Sequence, residues 1–374
     1  MNHSFLLAAL LTTCFFYPSN QTLAENPLSV EGQVLTEGVS VLSGGLKKGV
    51  AAHGFAVVGV DFDTQKARWW EGGSFRFAAA MTRGGDPSAQ LIGDFQIASN
   101  IEADNLTYLQ EFWFQQEVNR WKFIVGLQDL NVELVASDAA SLFLNSTLGT
   151  PSTIATNVPS PIFPLTALGA QIHFNASQNL TLKMAFFDGM PEDFDSNPHN
   201  VAWRLNASDG CLAFAEMELK SVAENPAEAV YKLGYYWHDH WDVHSMTNTR
   251  QTNYGFYFTA DQPLFSTSSQ CPLRAFLMLA ASPASTNYNY RFLGVGLTKK
   301  GLISRRKNDE CGLALAYAGL KSDVSETTLE LTYKCQLSEC CFVQPDLQYI
   351  VNPSGTSYSL DNAVVGMLRL GLQF

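Results

Sequence analysis

Apolar and polar side chains alternate with a period of two residues in segment after segment of this chain, and that period narrows what it can fold into. In "WKFIVGLQ", Trp121, Phe123, Val125 and Leu127 share one parity against Lys122 and Gln128. In "LTLKMAFF", Leu180, Leu182, Met184 and Phe186 oppose Thr181 and Lys183, and "AVYKLGYYWHDH" sets Tyr231, Leu233, Tyr235 and Trp237 against Lys232 and His238. "TTLELTYK" sets Leu329, Leu331 and Tyr333 against Glu330, Thr332 and Lys334; "FVQPDLQYI" sets Val343, Leu347 and Tyr349 against Gln344, Asp346 and Gln348. In the closing "VVGMLRLGLQF", Val364, Leu368, Leu370, Leu372 and Phe374 oppose Val365, Met367, Arg369 and Gln373. Successive side chains of a strand point to opposite faces, so each segment is a strand with one apolar face and one mixed or polar face. Gly, Pro, Asn and Ser clusters such as "EGGS", "RGGDPS", "NASQN", "NPSGTS" and "SSQCP" separate them as turns.

Two all-β architectures bury such strands. A sandwich packs the apolar faces on a second sheet, whereas an outer-membrane barrel turns them to lipid and keeps polar groups in a lumen. Charged residues make up 16% of the chain, below the roughly 25% usual in soluble domains, and aromatics 12%. Aromatics cluster near strand ends, as interfacial girdles do. Closure also removes the exposed edge that the final strand would otherwise present. The expected fold is a transmembrane antiparallel β-barrel of roughly 16 strands, leaving roughly 22 residues for each strand and its connection. No stretch after the first two dozen residues is apolar for long enough to span as a helix.

"FLLAALLTTCFFY" and the small residues of "TLA" read as an export signal over residues 1–24, with 25–374 as one barrel domain. Only His3 supplies the basic start, and an uncleaved anchor or acylation at Cys14 are the alternatives. The net charge of −12, without basic runs, argues against nucleic acid as a partner. Past the signal stand Cys211, Cys271, Cys311, Cys335, Cys340 and Cys341. An even count in an exported chain is compatible with disulfides, within the chain or between chains, or with thiols acting as small hydrophobes. Three of them stand alone in sequence, which disfavours zinc.

A series of segments resembles the carbohydrate-selective porins of the OprB type. In that family's order the chain carries "VSVLSGGLKKG", "FAVVGVDFD", "IASNIEA", "YLQEFWFQQ", "FIVGLQDLNVEL", "ASLFLNSTLGTP", "PIFPLTALGAQIHF", "AFFDGMPED", "VYKLGYYWH", "YGFYFTADQPLF", "QPDLQYIVNP" and "NAVVGMLRLGLQF". The resemblance implies a 16-stranded barrel in the bacterial outer membrane, a homotrimer, and passive diffusion of glucose-like sugars and other small solutes. It also implies that the strand ending in Phe374 is the signal read by the barrel-assembly machinery. A structural or adhesive barrel, crosslinked through Cys340 and Cys341, is the alternative.

Passive permeation needs no nucleophile or cofactor; it needs donors and acceptors that replace part of a solute's hydration and then let it go. Parity places Lys122, Lys183, Lys232, Glu330, Lys334, Gln344, Asp346, Gln348 and Arg369 toward the lumen. The irregular, proline-rich region from about Asn131 to Leu165 is long enough to fold inward as a constriction loop. At its start Asp129, Asn131 and Glu133 alternate, and with Asn145 and Arg204 they are candidates for contact with solute. "WHDHWDVH" brings His238, His240, His244, Asp239 and Asp242 close in sequence, but it reads as a strand running into a surface loop rather than as a metal site. No G-x-S-x-G is present, and no histidine sits in a local catalytic pattern, so the chain reads as a channel rather than an enzyme. Sequons at Asn105, Asn175 and Asn206 are the chance product of polar turns in a bacterial envelope protein.

Overall fold

The computed structural model describes residues 26–221, 229–242, 249–264, 273–355 and 360–374. Sixteen strands follow one another: β1 (Leu28–Ser43), β2 (Gly49–Asp63), β3 (Gly73–Gly84), β4 (Thr107–Val118), β5 (Trp121–Gln128), β6 (Ala167–Asn175), β7 (Leu180–Asp188) and β8 (Cys211–Lys220) in the first half. The second half comprises β9 (Val230–Asp242), β10 (Thr249–Pro263), β11 (Leu273–Ala281), β12 (Asn289–Lys300), β13 (Glu310–Leu320), β14 (Ser325–Gln336), β15 (Cys341–Val351) and β16 (Ala363–Gln373). Each pairs antiparallel with its sequence neighbours, and β16 pairs with β1 to close the barrel. Beyond the paired strands, Phe374 and Gly32 exchange backbone hydrogen bonds of 2.9 and 3.0 Å, so the closure runs to the final residue.

The alternation read in the sequence resolves into two environments. Outward residues such as Phe77, Val125, Leu331 and Leu370 are exposed, while inward Glu330, Gln344 and Gln348 on the same sheet are buried. The exposed side is apolar because lipid meets it. The longest described connections share one end. At one end lie turns such as 119–120, 176–179 and 337–340; at the other lie the long loops 85–106, 129–166 and 189–210. By the usual asymmetry of such barrels the turn end is periplasmic and the loop end extracellular.

Two of the long loops fold into the barrel. Loop 129–166, with its short helices α1 (Ser146–Gly149) and α2 (Ser152–Asn157), buries Leu134, Phe143, Leu148 and Ile154 against Phe214, Tyr236, Tyr257, Phe276 and Phe292 of the inner wall. Loop 85–106 buries Leu91, Ile92 and Ala98 against Val39, Ile350, Val365 and Met367. The inner face is therefore not polar all round, as simple alternation suggests. Where loop 129–166 covers the wall, aromatic and alanine side chains form a core beneath it.

The five described cysteines, Cys211, Cys311, Cys335, Cys340 and Cys341, are free thiols, and Cys271 lies outside the described residues. His238 and His240 do share a face, their rings stacked at 4.8 Å, but His238 is engaged with the Gly189 carbonyl at 2.7 Å and Asp239 pairs with Arg250. No group of three metal-ligating side chains gathers among the described residues. His244 lies outside them.

Candidate functional site

The two inward loops leave a cavity of about 420 Å³ between themselves and wall residues of β13–β16, β1, β2 and β4. Its apolar lining is Leu35, Phe55, Ile101, Leu142, Ile162, Phe163 and Phe342; its polar lining includes Gln33, Asn100, Gln110, Asn131, Thr150, Glu310, Lys334, Gln344, Arg369 and Gln373. Phe55 and Phe163 meet edge to face at 5.4 Å. Lys334 sits over the Phe342 ring at 4.3 Å, where the ring's electron-rich face holds the ammonium in place.

Arg369 is fixed by what surrounds it. Its guanidinium donates to Glu37 at 2.9 and 3.2 Å and to Asn100 at 2.7 Å. Glu37 also accepts from the Ser99 hydroxyl at 3.0 Å, and His53 lies 3.0 Å from that hydroxyl. Arg369 thus reaches loop 85–106 and the barrel seam together, with one side facing the cavity. A guanidinium so held presents its remaining donors in a fixed fork.

Of the residues singled out in the sequence, Asn131, Lys334, Gln344 and Arg369 line this cavity. Asn131 accepts from Thr150 at 2.8 Å, and Gln344 donates to the Leu142 carbonyl at 2.8 Å and to Thr332 at 2.9 Å. Lys122, Glu133, Lys183 and Lys232 line a second cavity of about 290 Å³ at the turn end. There Lys122 bonds Glu133 at 2.5 Å, Lys183 bonds Glu218, Glu216 and the Glu133 carbonyl at 2.7, 3.1 and 2.6 Å, and Lys232 bonds the Ala136 carbonyl at 2.7 Å. These lysines root the start of loop 129–166.

The other candidates act within the framework. Asp129 caps the turn that follows it by accepting the Asn131 amide at 2.8 Å, and burial, with the nearby charge of Glu111, pushes its carboxyl up to about 7. Asn145 is fully buried and caps α1 by accepting the Thr147 amide at 3.1 Å. Glu330 accepts the Leu144 and Asn145 amides, Asp346 is buried beside it, and Gln348 donates to the Ala98 carbonyl at 2.9 Å. Arg204 stands on loop 189–210 with its side chain mostly in solvent, 3.9 Å from Glu192.

Sequence reasoning did not single out Glu37, Ser99, Asn100, Phe55 or Phe342. Loop 85–106 carried a signal, the "RGGDPS" break followed by an irregular stretch, and Phe342 has the same parity as Gln344 and Asp346.

Residues 47–374 match the model of the carbohydrate-selective porin family, OprB. The chain belongs to that family. This porin is 22% identical to Porin B of Pseudomonas aeruginosa over 418 residues, covering 94% of the present chain and 88% of that protein. Its fold matches the high-pH structure of Pseudomonas putida OprB with a TM-score of 0.83 at 18% identity, covering 94% and 95% of the two chains. The low-pH structure of the same protein matches with a TM-score of 0.63 at 14% identity, covering 100% and 98%. The porin is an outer-membrane channel that admits carbohydrates and other small solutes. The barrel, its inward loops and its apolar exterior follow that role.

Proposed function

We propose that sugars cross this porin through the cavity beside Arg369, and that this cavity is where they are recognised. The observation that carries the reading is a single chamber with aromatic faces, Phe55, Phe163 and Phe342, set against fixed donors and acceptors, Arg369, Lys334, Gln344 and Asn131. A pyranose has C–H groups on its ring faces and hydroxyls around its rim, so such a lining meets both. Hydrogen bonds to ionised groups are the stronger ones, and conduction requires that such a site bind weakly enough for the solute to leave.

Planar-bilayer conductance titrated with glucose, maltose and a non-sugar osmolyte tests this. The expected result is saturable block by a sugar, weakened when Lys334→Gln is introduced. Block that is absent in the wild type, or unchanged in the variant, would remove the assignment.

Three further readings accompany it. Residues 1–24 are a cleaved leader, and the strand ending at Phe374 is the segment that barrel-assembly machinery engages. The porin is a homotrimer that meets its copies through the outer face of β16–β1–β2–β3. Support for the trimer comes from the small side chains there: Ser40 pairs in register with Gly366, Gly38 with Ala52 and Thr36 with Gly54. Small residues let backbones approach closely in lipid. Ala52→Trp should convert trimer to monomer on native gels; a trimer that persists would place the interface elsewhere.

A further inference from the structure

The connection between β12 and β13 departs from the acidic character of the chain. From Lys299 to Lys307 the sequence is "KKGLISRRK", with five basic residues and no acidic one, in a protein of net charge −12. The turn is built rather than loose. Gly301 donates to the Asp309 carbonyl at 2.7 Å and Arg306 to the Ile303 carbonyl at 2.8 Å. Asp309, 3% exposed, receives the Arg306 guanidinium at 2.5 and 3.1 Å, the Tyr333 hydroxyl at 2.5 Å and the Gln336 amide at 3.0 Å. Arg306 also reaches the Gln336 carbonyl at 2.8 Å. One arginine is thus committed to holding the turn against β14.

Its neighbours are left for something else. Arg305 and Lys307 are exposed, and neither has an acidic partner among the described residues. Leu302 and Ile303, 63% and 49% exposed, stand at the tip. Lys299 continues the outward parity of Val295 and Leu297 on β12, at the margin of the lipid-facing band. The described connections at the same end differ in charge: 64–72 exposes Arg68, Trp69 and Trp70 but holds Glu71 in the turn and sets Lys66 3.9 Å from Asp63, Arg120 in 119–120 bonds the Ala176 carbonyl, 176–179 carries no charge, and 337–340 holds Glu339.

We infer that the 299–307 turn is a docking site for an anionic phospholipid of the periplasmic leaflet, with the lipid phosphate taken by Arg305 and Lys307 and the tip of Leu302 and Ile303 entering the headgroup boundary. Apolar residues flanked by basic ones bind at that depth, and basic groups near an anionic leaflet each add to the attraction. The frame around Asp309 fixes the turn beforehand, so little order is lost on binding. The inference rests on the outer-membrane location and is independent of which sugar passes.

The test is lipid retention by the full porin in nanodiscs of phosphatidylethanolamine containing a minor share of phosphatidylglycerol, read by native mass spectrometry. The wild type should retain phosphatidylglycerol preferentially, and the preference should fall in high salt. Arg305→Gln with Lys307→Gln should weaken retention about fivefold for each charge removed, with conductance and folded gel mobility unchanged. Lys66→Gln with Arg68→Gln, on another turn at the same end, should leave the preference intact. Soluble glycerol phosphate at the same concentration should not compete, because it lacks the chains that hold the lipid at the turn. Equal retention of both lipids by the wild type, preference surviving in the Arg305/Lys307 variant, or full competition by glycerol phosphate would each overturn the site. So would binding to isolated sacculi without lipid preference, which would assign the turn to the cell wall.

Discussion

The carboxylate of Glu330, on the inner wall of β14, accepts the backbone amide of Asn145 at 3.1 Å, and at 2.6 Å that of Leu144 beside it. Two residues 185 positions apart in sequence thereby fix loop 129–166 to the wall. Glu216 does the same for Val135 at 2.9 Å, and Asp261 for Asp138 at 2.9 Å and the Ser137 hydroxyl at 2.5 Å. The inward loop is seated by wall carboxylates as well as by its apolar side chains. Truncation at Glu330 leaves two buried amides without acceptors, at about 1–3 kcal/mol each. Glu330→Ala should lower the melting temperature and add flicker to the single-channel current, while Glu330→Gln, which keeps one acceptor oxygen, should fall between it and the wild type. A quiet channel in the alanine variant would show that the apolar contacts alone hold the loop.

Loop 85–106 has its own fastening. Glu326 accepts from the Phe95 and Gln96 amides at 2.7 and 2.8 Å and from Ser354 at 2.7 Å, joining that loop to the one before β16. Glu326→Ala should expose residues 85–106 to external protease while leaving 129–166 protected. Limited proteolysis followed by mass mapping of the fragments distinguishes the two, and cleavage appearing equally in both loops would mean that they move as one unit.

Arg369 and Glu37 form a nearly fully buried pair between β16 and β1. Removing one member of such a pair strands the other charge, at roughly 3–5 kcal/mol. Arg369→Met should therefore destabilise strongly, and adding Glu37→Gln should restore much of the loss. Stability and sugar block separate here. The double variant is expected to regain its melting temperature without regaining block, because the cavity still lacks the guanidinium. Recovery of both would make Arg369 a seam residue only.

The barrel was legible in the sequence because its cause is local. Alternation at Trp121–Gln128, Leu329–Lys334 and Val364–Phe374 needs no partner to be seen, and the structure sets Lys122, Lys334 and Arg369 on the inner face that parity assigns them. The inward fold of the proline-rich region was visible as well, since a stretch so long and irregular has few other places to go. The cavity was only partly legible. Asn131 and Gln344 line it, whereas Asn145, from the same loop, is consumed by capping, and no local pattern distinguishes an asparagine that faces a lumen from one that caps a helix. Glu37 meets Arg369 only after closure of β1 on β16, which pairs residues more than 300 positions apart, and Asn100 and Phe342 face one cavity only once the chain has folded around it. Inner-wall aromatics such as Tyr257 and Phe276 escaped because alternation reports which side a residue faces but not what covers it.

Asp129 gives the last prediction, in which pH carries the signal. Its carboxyl is pushed from the usual 3.8 up to about 7 by burial, with Glu111 adding to the effect. In the unfolded chain the group titrates near its ordinary value. Below about pH 4 both states hold the proton and Asp129 adds no bias. Between about 4 and 7 the folded porin holds a proton that the unfolded chain has released, so stability falls as pH rises, by on the order of 4 kcal/mol once pH passes 7. Asparagine is uncharged and can still cap the turn by accepting the Asn131 amide. Melting temperatures of the wild type and Asp129→Asn should therefore agree near pH 4 and diverge upward through pH 7, with the variant the more stable. A difference that stays constant with pH would show that Asp129 remains ionised in the folded porin and that the loop draws its hold there from charge.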